Sequence, residues 1–190
     1  MSADPAPTNS WSEAGCVSGR FQPLHNDHLE LIIKVLDRHD LLMVAITNPD
    51  ADTREEHSSN PVRHRPQSNP FSFFERMEFV KAALKDFPRS RYEVVPFPLH
   101  SPGAVLSYVP LGVTQYVRVR SDWERAKSQM LESYGYRVET IPGDSKRHIR
   151  STEIRRAMVE GKPWTHLVPP GVAPLVEAAL AARVRRYRAI

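Results

Sequence analysis

The sequence has a single cysteine, Cys16, among its 190 residues. One cysteine excludes an internal disulfide and any zinc site built from several cysteines, and it favours a reducing compartment. We expect Cys16 to be a small buried residue. The sequence also lacks an apolar run of the roughly 18 residues that a membrane-spanning helix needs. Its first residues, MSADPAPTNSWSEA, lack the basic and then apolar pattern of an export signal. These absences predict a cytoplasmic protein with no membrane partner.

Two common nucleotide-binding signatures are absent as well. The sequence contains neither the dinucleotide fingerprint G-x-G-x-x-G nor the P-loop ending G-K-[ST]. The formal net charge is nevertheless +4, with 26 Lys and Arg against 22 Asp and Glu, and a positive chain favours polyanionic ligands. The basic residues are scattered and no RNA-binding signature is present. Composition alone does not choose between nucleic acid and small polyanions such as nucleotides. Because only the charge suggests nucleic acid, we rank that partner last and expect none.

Short apolar segments alternate with amphipathic helical segments along the chain. Five of them have the length and composition of buried strands: Gly15 to Ser18, Leu41 to Thr47, Tyr92 to Phe97, Thr114 to Val119 and Tyr136 to Ile141. Such alternation requires right-handed crossovers. It predicts an α/β, Rossmann-like, doubly wound five-stranded parallel sheet with C-terminal helices. We expect residues 1–13 to be a flexible tail and residues 14–190 to form a single domain.

Local signals place the helix ends. The pairs Ser72 with Glu75 and Ser121 with Glu124 have the spacing of capping boxes, which begin helices. Gly135 is the expected stop of the second of these helices. Two further helices are predicted over residues 152–160 and 172–188. The stretch from residue 48 to residue 70 has no apolar periodicity, and a loop of that length is usually functional or disordered.

The stretch SGRFQPLHNDH, residues 18–28, follows the first predicted strand and enters a helix. A helix N-terminus attracts phosphate oxygens through its unpaired N–H groups and its partial positive charge. His25, His28 and Arg20 add hydrogen-bond donors on the same side. This arrangement suits phosphoryl or nucleotidyl transfer, which depends on alignment and charge stabilisation. Two alternatives remain: surface histidines beside a turn, or a zinc pair that lacks an evident third ligand.

A second cationic cluster, KRHIRSTEIRRAM, occupies residues 146–158. Ser151 and Thr152 have the chemistry of helix caps, and the first turn then directs Arg155 towards the same opening. The alternative is an ordinary capped helix with solvated arginines. Because both clusters lie at predicted helix starts beyond strand ends, together they favour a polyphosphate site.

Three motifs resemble one known family in order and spacing. SGRFQPLHNDH, NPFSFFER (residues 69–76) and IRSTEIRRAM (residues 149–158) resemble the signatures of the HxGH-type nucleotidyltransferases, most closely the archaeal-type nicotinamide mononucleotide adenylyltransferases. The similarity extends over about residues 15–168. It implies a Rossmann-like domain that binds a nucleoside triphosphate with Mg²⁺ and transfers a nucleotidyl group to an acceptor phosphate, releasing pyrophosphate. ATP is the expected triphosphate, with CTP as the alternative.

The resemblance also implies three sets of site residues. The catalytic set is Arg20, His25, His28 and Arg155. The nucleotide-binding set is Gly19, Phe21, Asp27, Arg150, Ser151 and Thr152. The acceptor-binding set is Asn69, Arg76, Arg118, Arg120, Asp122 and Trp123.

The sequence departs from the family pattern at three places. Asp27 stands where the family has glycine between its histidines, so we expect either a pocket that differs from the family's or contact of the carboxylate with a metal ion or a base edge. Arg150 replaces a serine and adds a positive charge that could offset Asp27. Val105 stands near the position of a tryptophan that covers nicotinamide in the relatives. Trp123 either replaces that stacking surface or packs its own helix.

Three functions are consistent with these residues. The leading expectation is transfer of AMP from ATP to the phosphate of a nicotinamide mononucleotide-like acceptor, as in NAD biosynthesis. The first alternative is cytidylyl or other nucleotidyl transfer to a different phosphate or phosphonate acceptor. The second is an inactive nucleotide-binding regulatory module. Assembly into a homo-oligomer through the C-terminal helix is an open expectation.

Overall fold

The computed structural model describes residues 11–50, 64–142 and 148–188. Five strands form one all-parallel sheet in the order β3-β2-β1-β4-β5. They are β1 (Gly15–Gly19), β2 (Leu42–Thr47), β3 (Tyr92–Phe97), β4 (Thr114–Val119) and β5 (Arg137–Pro142). The register at the centre pairs Val17 with Val44 on one side and with Tyr116 on the other. The predicted sheet is confirmed, and its strand order reverses at β1, where such sheets bind ligands.

Six α-helices lie in the described ranges. They are α1 (Asn26–Leu36), α2 (Phe73–Ala83), α3 (Pro102–Val105), α4 (Asp122–Ser133), α5 (Ser151–Val159) and α6 (Ala173–Arg188). None of the described helices is long and apolar enough to cross a membrane.

One of the two predicted capping boxes is present. The backbone N–H of Ser72 donates to the Glu75 carboxylate at 2.7 Å, and the N–H of Glu75 donates to Ser72 Oγ at 3.2 Å. The Ser121 hydroxyl instead donates directly to the Glu124 carboxylate, although α4 begins where expected. The predicted stop after α4 is confirmed, because Gly135 has a φ of 91° that few other residues adopt.

Apolar side chains fill both faces of the sheet. On one face, Ile32 and Val35 of α1 pack with residues of α2, α5 and α6. On the other face, Val105 of α3 and Leu131 of α4 pack in a second core with residues of the sheet. Cys16 is fully buried on the second face. Burial raises the pKa of its thiol to about 12, so it is an unreactive core residue, as predicted.

Two predictions about irregular segments change. Residues 11–13 belong to the predicted tail, but they form a turn of 3-10 helix and Trp11 packs against the second core. Residues 1–10 lie outside the described residues. The predicted long loop contains a 3-10 turn at Pro66–Ser68, and its residues 51–63 are likewise outside the described ranges.

Candidate active site

A cavity of about 390 Å³ opens at the carboxyl ends of β1 and β4. Its walls come from the β1–α1 loop, the first turn of α1, the start of α4 and the segment that enters α5. The following predicted site residues line it: Gly19, Arg20, Phe21, His25, Asp27, His28, Arg118, Arg120, Trp123, Arg150, Ser151 and Thr152. The two cationic clusters found in the sequence therefore share one cavity.

The β1–α1 loop is held in shape by Gln22. Its side-chain Nε2 donates to the carbonyl oxygen of Phe71 at 2.9 Å, and its Oε1 accepts from the Phe71 N–H at 2.9 Å. Gln22 is 1% exposed, so both bonds are shielded from water. The loop that carries the histidines is thus fixed to the chain just before α2.

Arg76, predicted to bind the acceptor, lies outside the cavity and is fully buried. Its guanidinium donates to the carbonyl oxygens of Arg20 at 3.0 Å, Thr47 at 2.7 Å and Asn48 at 2.8 Å. It also donates to the carbonyl oxygen of Ser72 at 3.1 Å. These acceptors lie at the carboxyl ends of β1 and β2 and at the cap of α2. In this structure the Arg76 guanidinium therefore joins loop carbonyls and does not line the cavity.

His25 and His28 lie together at the start of α1. Their rings stack with centroids 3.5 Å apart, and the Phe21 ring meets His28 edge-on at 5.0 Å. The backbone N–H of His25 donates to Nδ1 of His28 at 3.4 Å. In a neutral His28, the ring proton is therefore on Nε2.

Burial sets the charge of both imidazoles. Desolvation lowers the pKa of His25, which is 4% exposed, to about 3. Desolvation, followed by the nearby positive groups, also holds the pKa of His28 well below its usual value. Both rings are therefore neutral hydrogen-bond donors at neutral pH in the free protein.

The start of α5 is braced against the β1–α1 loop. Ser151 Oγ donates to the carbonyl oxygen of Pro23 at 3.1 Å, and Arg155 Nη1 donates to that of Gln22 at 2.7 Å. Arg155 Nη2 also donates to Thr152 Oγ1 at 3.2 Å. The prediction that Ser151 or Thr152 caps the helix is wrong, because Arg150 occupies the N-cap position and forms no side-chain cap bond. Arg155 stands behind the cavity wall instead of lining it.

Asp27 faces protein donors. Its Oδ2 accepts from Arg120 Nη1 at 2.7 Å and from the Ile149 N–H at 3.1 Å. Burial raises the pKa of this carboxyl, but the bonds from Arg120 and Ile149 outweigh burial and leave the pKa below its usual value. Asp27 therefore forms an ion pair with Arg120 at the cavity wall. Arg120 supplies the positive charge that pairs with Asp27, whereas we expected Arg150 to supply it.

The remaining predicted acceptor residues divide into two groups. Arg118 lines the cavity and donates to the backbone carbonyl of Asp27 at 3.2 Å. Trp123 packs in the second core, as its packing interpretation predicted, and its edge still lines the cavity. Asp122 is exposed and pairs with Arg125 outside the cavity. Asn69 also lies outside it and donates to the carbonyl oxygen of Arg65.

Sequence reasoning missed Lys127, which lines the cavity from α4. Lys127 is 6% exposed, and its Nζ donates to the carbonyl oxygen of Ser18 at 2.6 Å. A signal for it existed, because Lys127 lies four residues after Trp123 and residues at that spacing share a helix face. His148, within the second cluster, was also not singled out; its ring contacts Arg120 beside Asp27.

The cavity is strongly positive. Its described lining has five cationic side chains, Arg20, Arg118, Arg120, Lys127 and Arg150, against the carboxylates of Asp27 and Glu124. Such a surplus favours a polyanion. In the described part of the chain, no three His, Cys, Asp or Glu side chains cluster to hold a metal ion. A divalent ion would therefore fit here as one carried by phosphate oxygens.

A doubly wound parallel sheet with a cationic cavity between two helix starts defines a nucleotide-binding fold. The Cytidylyltransferase-like family model matches residues 16–157, so the chain belongs to this family of nucleotidyltransferases. The predicted superfamily and the predicted nucleotidyl-transfer activity are confirmed.

Three comparisons describe its relatives. The chain is 38% identical over 174 residues to the phosphonoformate cytidylyltransferase of Streptomyces viridochromogenes, covering 90% of this chain and 95% of that protein. It is 31% identical over 164 residues to the nicotinamide-nucleotide adenylyltransferase of Thermococcus kodakarensis, covering 85% and 81%. A bifunctional NMN adenylyltransferase/ADP ribose pyrophosphatase from Francisella tularensis superposes with a TM-score of 0.62 at 15% identity, covering 87% of this chain and 49% of that one. The last comparison supports the fold alone.

Proposed function

We propose that this protein transfers CMP from CTP to a phosphonate oxygen of a small acidic acceptor and releases pyrophosphate. The observation that carries this proposal is the cationic wall of the cavity, formed by Arg118, Arg120 and Lys127. Such a wall suits an acceptor that carries a second negative charge close to its reacting phosphonate. The similarity to a phosphonoformate cytidylyltransferase over 95% of that protein's length supports the same acceptor class.

The triphosphate lies across the two helix starts. The first-turn N–H groups of α1 and α5, with Arg20, Ser151 and Thr152, hold the phosphate oxygens. Arg155 keeps α5 in register with the β1–α1 loop through its bond to Gln22. Mg²⁺ carried by the triphosphate would supply further neutralisation of the departing pyrophosphate.

The acceptor oxygen attacks the α-phosphorus in line, a new P–O bond forms, and the bond to pyrophosphate breaks. The neutral ring of His28 donates its Nε2 proton as a hydrogen bond to an α-phosphate oxygen, and His25 supports it from the adjacent stacked ring. No covalent nucleophile is required, because alignment and charge stabilisation lower the barrier. Arg76 contributes by positioning the ends of β1 and β2.

A second candidate is the transfer of AMP from ATP to a nicotinamide mononucleotide-like acceptor. The similarity to the Thermococcus kodakarensis adenylyltransferase favours it. Trp123, whose edge lines the cavity, would supply a surface for the nicotinamide ring in that case. Against it, Val105, near the position of the relatives' tryptophan, is buried in the second core and does not line the cavity.

Pyrophosphate release distinguishes these candidates. The purified protein is incubated with each of the four nucleoside triphosphates against phosphonoformate, methylphosphonate and nicotinamide mononucleotide. We expect turnover with CTP and phosphonoformate. Turnover restricted to ATP and nicotinamide mononucleotide would overturn the proposal in favour of the second candidate. Calorimetric binding of a triphosphate without turnover of any pair would favour an inactive module.

A further inference from the structure

We infer that Asp27, which stands where the family motif has glycine, is a positioning residue. Its carboxylate fills an anion-binding cradle and thereby fixes Arg120 in the cationic wall of the cavity. The anion cradle consists of the Arg120 guanidinium and the Ile149 N–H. Taking nucleotidyl transfer to a small acidic acceptor as the proposed function, Asp27 then determines how that acceptor is held.

The geometry of the cradle is that of an oxyanion site. Both donors converge on one oxygen, Asp27 Oδ2, from Arg120 at 2.7 Å and from the Ile149 N–H at 3.1 Å. A charged guanidinium combined with a backbone N–H is a common way to bind carboxylate or phosphate oxygens. The side chains of Asp27 and Arg120 are only 11% and 14% exposed, so the pair is sheltered at the cavity wall. The chain thus supplies its own anion to this cradle.

Asp27 also joins three walls of the cavity. Its carboxylate reaches Arg120 just beyond β4 and Ile149 just before α5, while its own backbone lies in the first turn of α1. Its carbonyl oxygen accepts from Arg118 at 3.2 Å. His148 completes the cluster, because its Nδ1 accepts from Arg120 and lies 3.7 Å from Asp27 Oδ2. Loss of this one carboxylate therefore removes the acidic partner of Arg120 in the cavity wall.

The simpler interpretation is an ion pair that only stabilises the fold, and chemical rescue separates the two. Asp27→Gly removes the carboxylate and leaves room for a formate ion between the same two donors. Asp27→Asn is the matched control, because its amide keeps the side-chain volume and blocks that space. Each variant is assayed with added sodium formate and, at equal ionic strength, with sodium chloride.

We expect Asp27→Gly to lose about tenfold or more in kcat/KM for the acceptor while the KM for CTP changes by less than about threefold. Formate should restore its activity saturably, and chloride should not. Asp27→Asn should be impaired and should not respond to formate. Wild-type kinetics in Asp27→Gly, or an equal response of both variants to formate, would overturn the positioning role.

A second readout does not depend on the identity of the substrates. Formate that binds the empty cradle should raise the unfolding temperature of Asp27→Gly above its value in chloride, and should not raise that of Asp27→Asn. If the wild type does not use CTP and phosphonoformate, the kinetic assay is repeated with the substrate pair that it does use. The measurement of the unfolding temperature needs no substrate and stays the same. Failure of the proposed substrates and failure of the cradle are therefore distinguishable. An unfolding temperature of Asp27→Gly that formate leaves unchanged overturns the cradle.

Discussion

The buried neutral state of His25 predicts a specific loss of stability in mild acid. The pKa of His25 is about 3 in the folded protein, against about 6.5 for a histidine in an unfolded chain. Above pH 6.5 neither state binds a proton at this position, so the contribution to stability is intact. As the pH falls from 6.5 towards 3, only the unfolded state gains the proton, and stability decreases.

The size of the effect at pH 5 follows from these two values. The pH of 5 lies roughly 1.5 units below the pKa of histidine in the unfolded chain. Protonation therefore stabilises the unfolded state at this pH, and the protein loses about 2 kcal/mol of unfolding free energy. His25→Gln cannot take up this proton. Between pH 7 and pH 5 we therefore expect the wild type to lose about 2 kcal/mol more unfolding free energy than the variant does.

Urea unfolding at pH 7 and pH 5, followed by tryptophan fluorescence and circular dichroism, measures the difference. Comparison of the two pH values within each protein removes the direct cost of the substitution and leaves the proton linkage of His25. His28 remains in both proteins, and burial, the first cause of its lowered pKa, is present in both. If His25→Gln loses as much stability as the wild type between the two pH values, then His25 is not buried in its neutral form and the geometry at the start of α1 is wrong.

Three further predictions concern the cavity and the loops beside it. His28→Ala should reduce kcat by about 10²-fold or more, as loss of a transition-state donor does, with little change in the unfolding midpoint; a purified, folded variant with full activity contradicts this role. Arg76→Met should lower the free energy of unfolding in urea by about 3 kcal/mol or more, because the buried carbonyls of Arg20, Thr47 and Asn48 lose their donor. A change below about 1 kcal/mol would show that these hydrogen bonds do not hold the loops. CTP binding with saturating Mg²⁺ at pH 7 should leave the number of bound protons nearly unchanged, because burial holds the pKa of both histidines far below 7 and keeps them neutral donors; calorimetric enthalpies that depend strongly on the buffer would exclude the neutral state.

The sheet could be predicted because its determinants are local. Each strand is a short apolar run, and the parallel order follows from the helices between the runs. The meeting of His25 and His28 with Ser151 and Thr152 was also predictable, because helix starts that follow parallel strands gather at one edge of the sheet. Strand ends differ from the predicted bounds by about one residue, which is the usual uncertainty of such boundaries.

The partners of individual side chains could not be predicted in the same way. Arg76 was assigned to the acceptor because it belongs to a motif, and a motif does not distinguish a residue that contacts substrate from one that shapes the loop beside it. Asp27 meets Arg120, 93 residues away, and Lys127 meets Ser18 across 109 residues. Contacts at such separations depend on the packing of three layers, and no local periodicity encodes them.

The bonds from Ser151 to Pro23 and from Arg155 to Gln22 join residues 128 and 133 positions apart. The surface that receives a triphosphate is consequently assembled only when the last third of the chain has returned to the centre of the sheet. The candidate site therefore requires both parts of the chain to be in place. With the triphosphate bound across both helix starts as proposed, nucleotide should protect α5 against local opening more strongly than it protects the central strands.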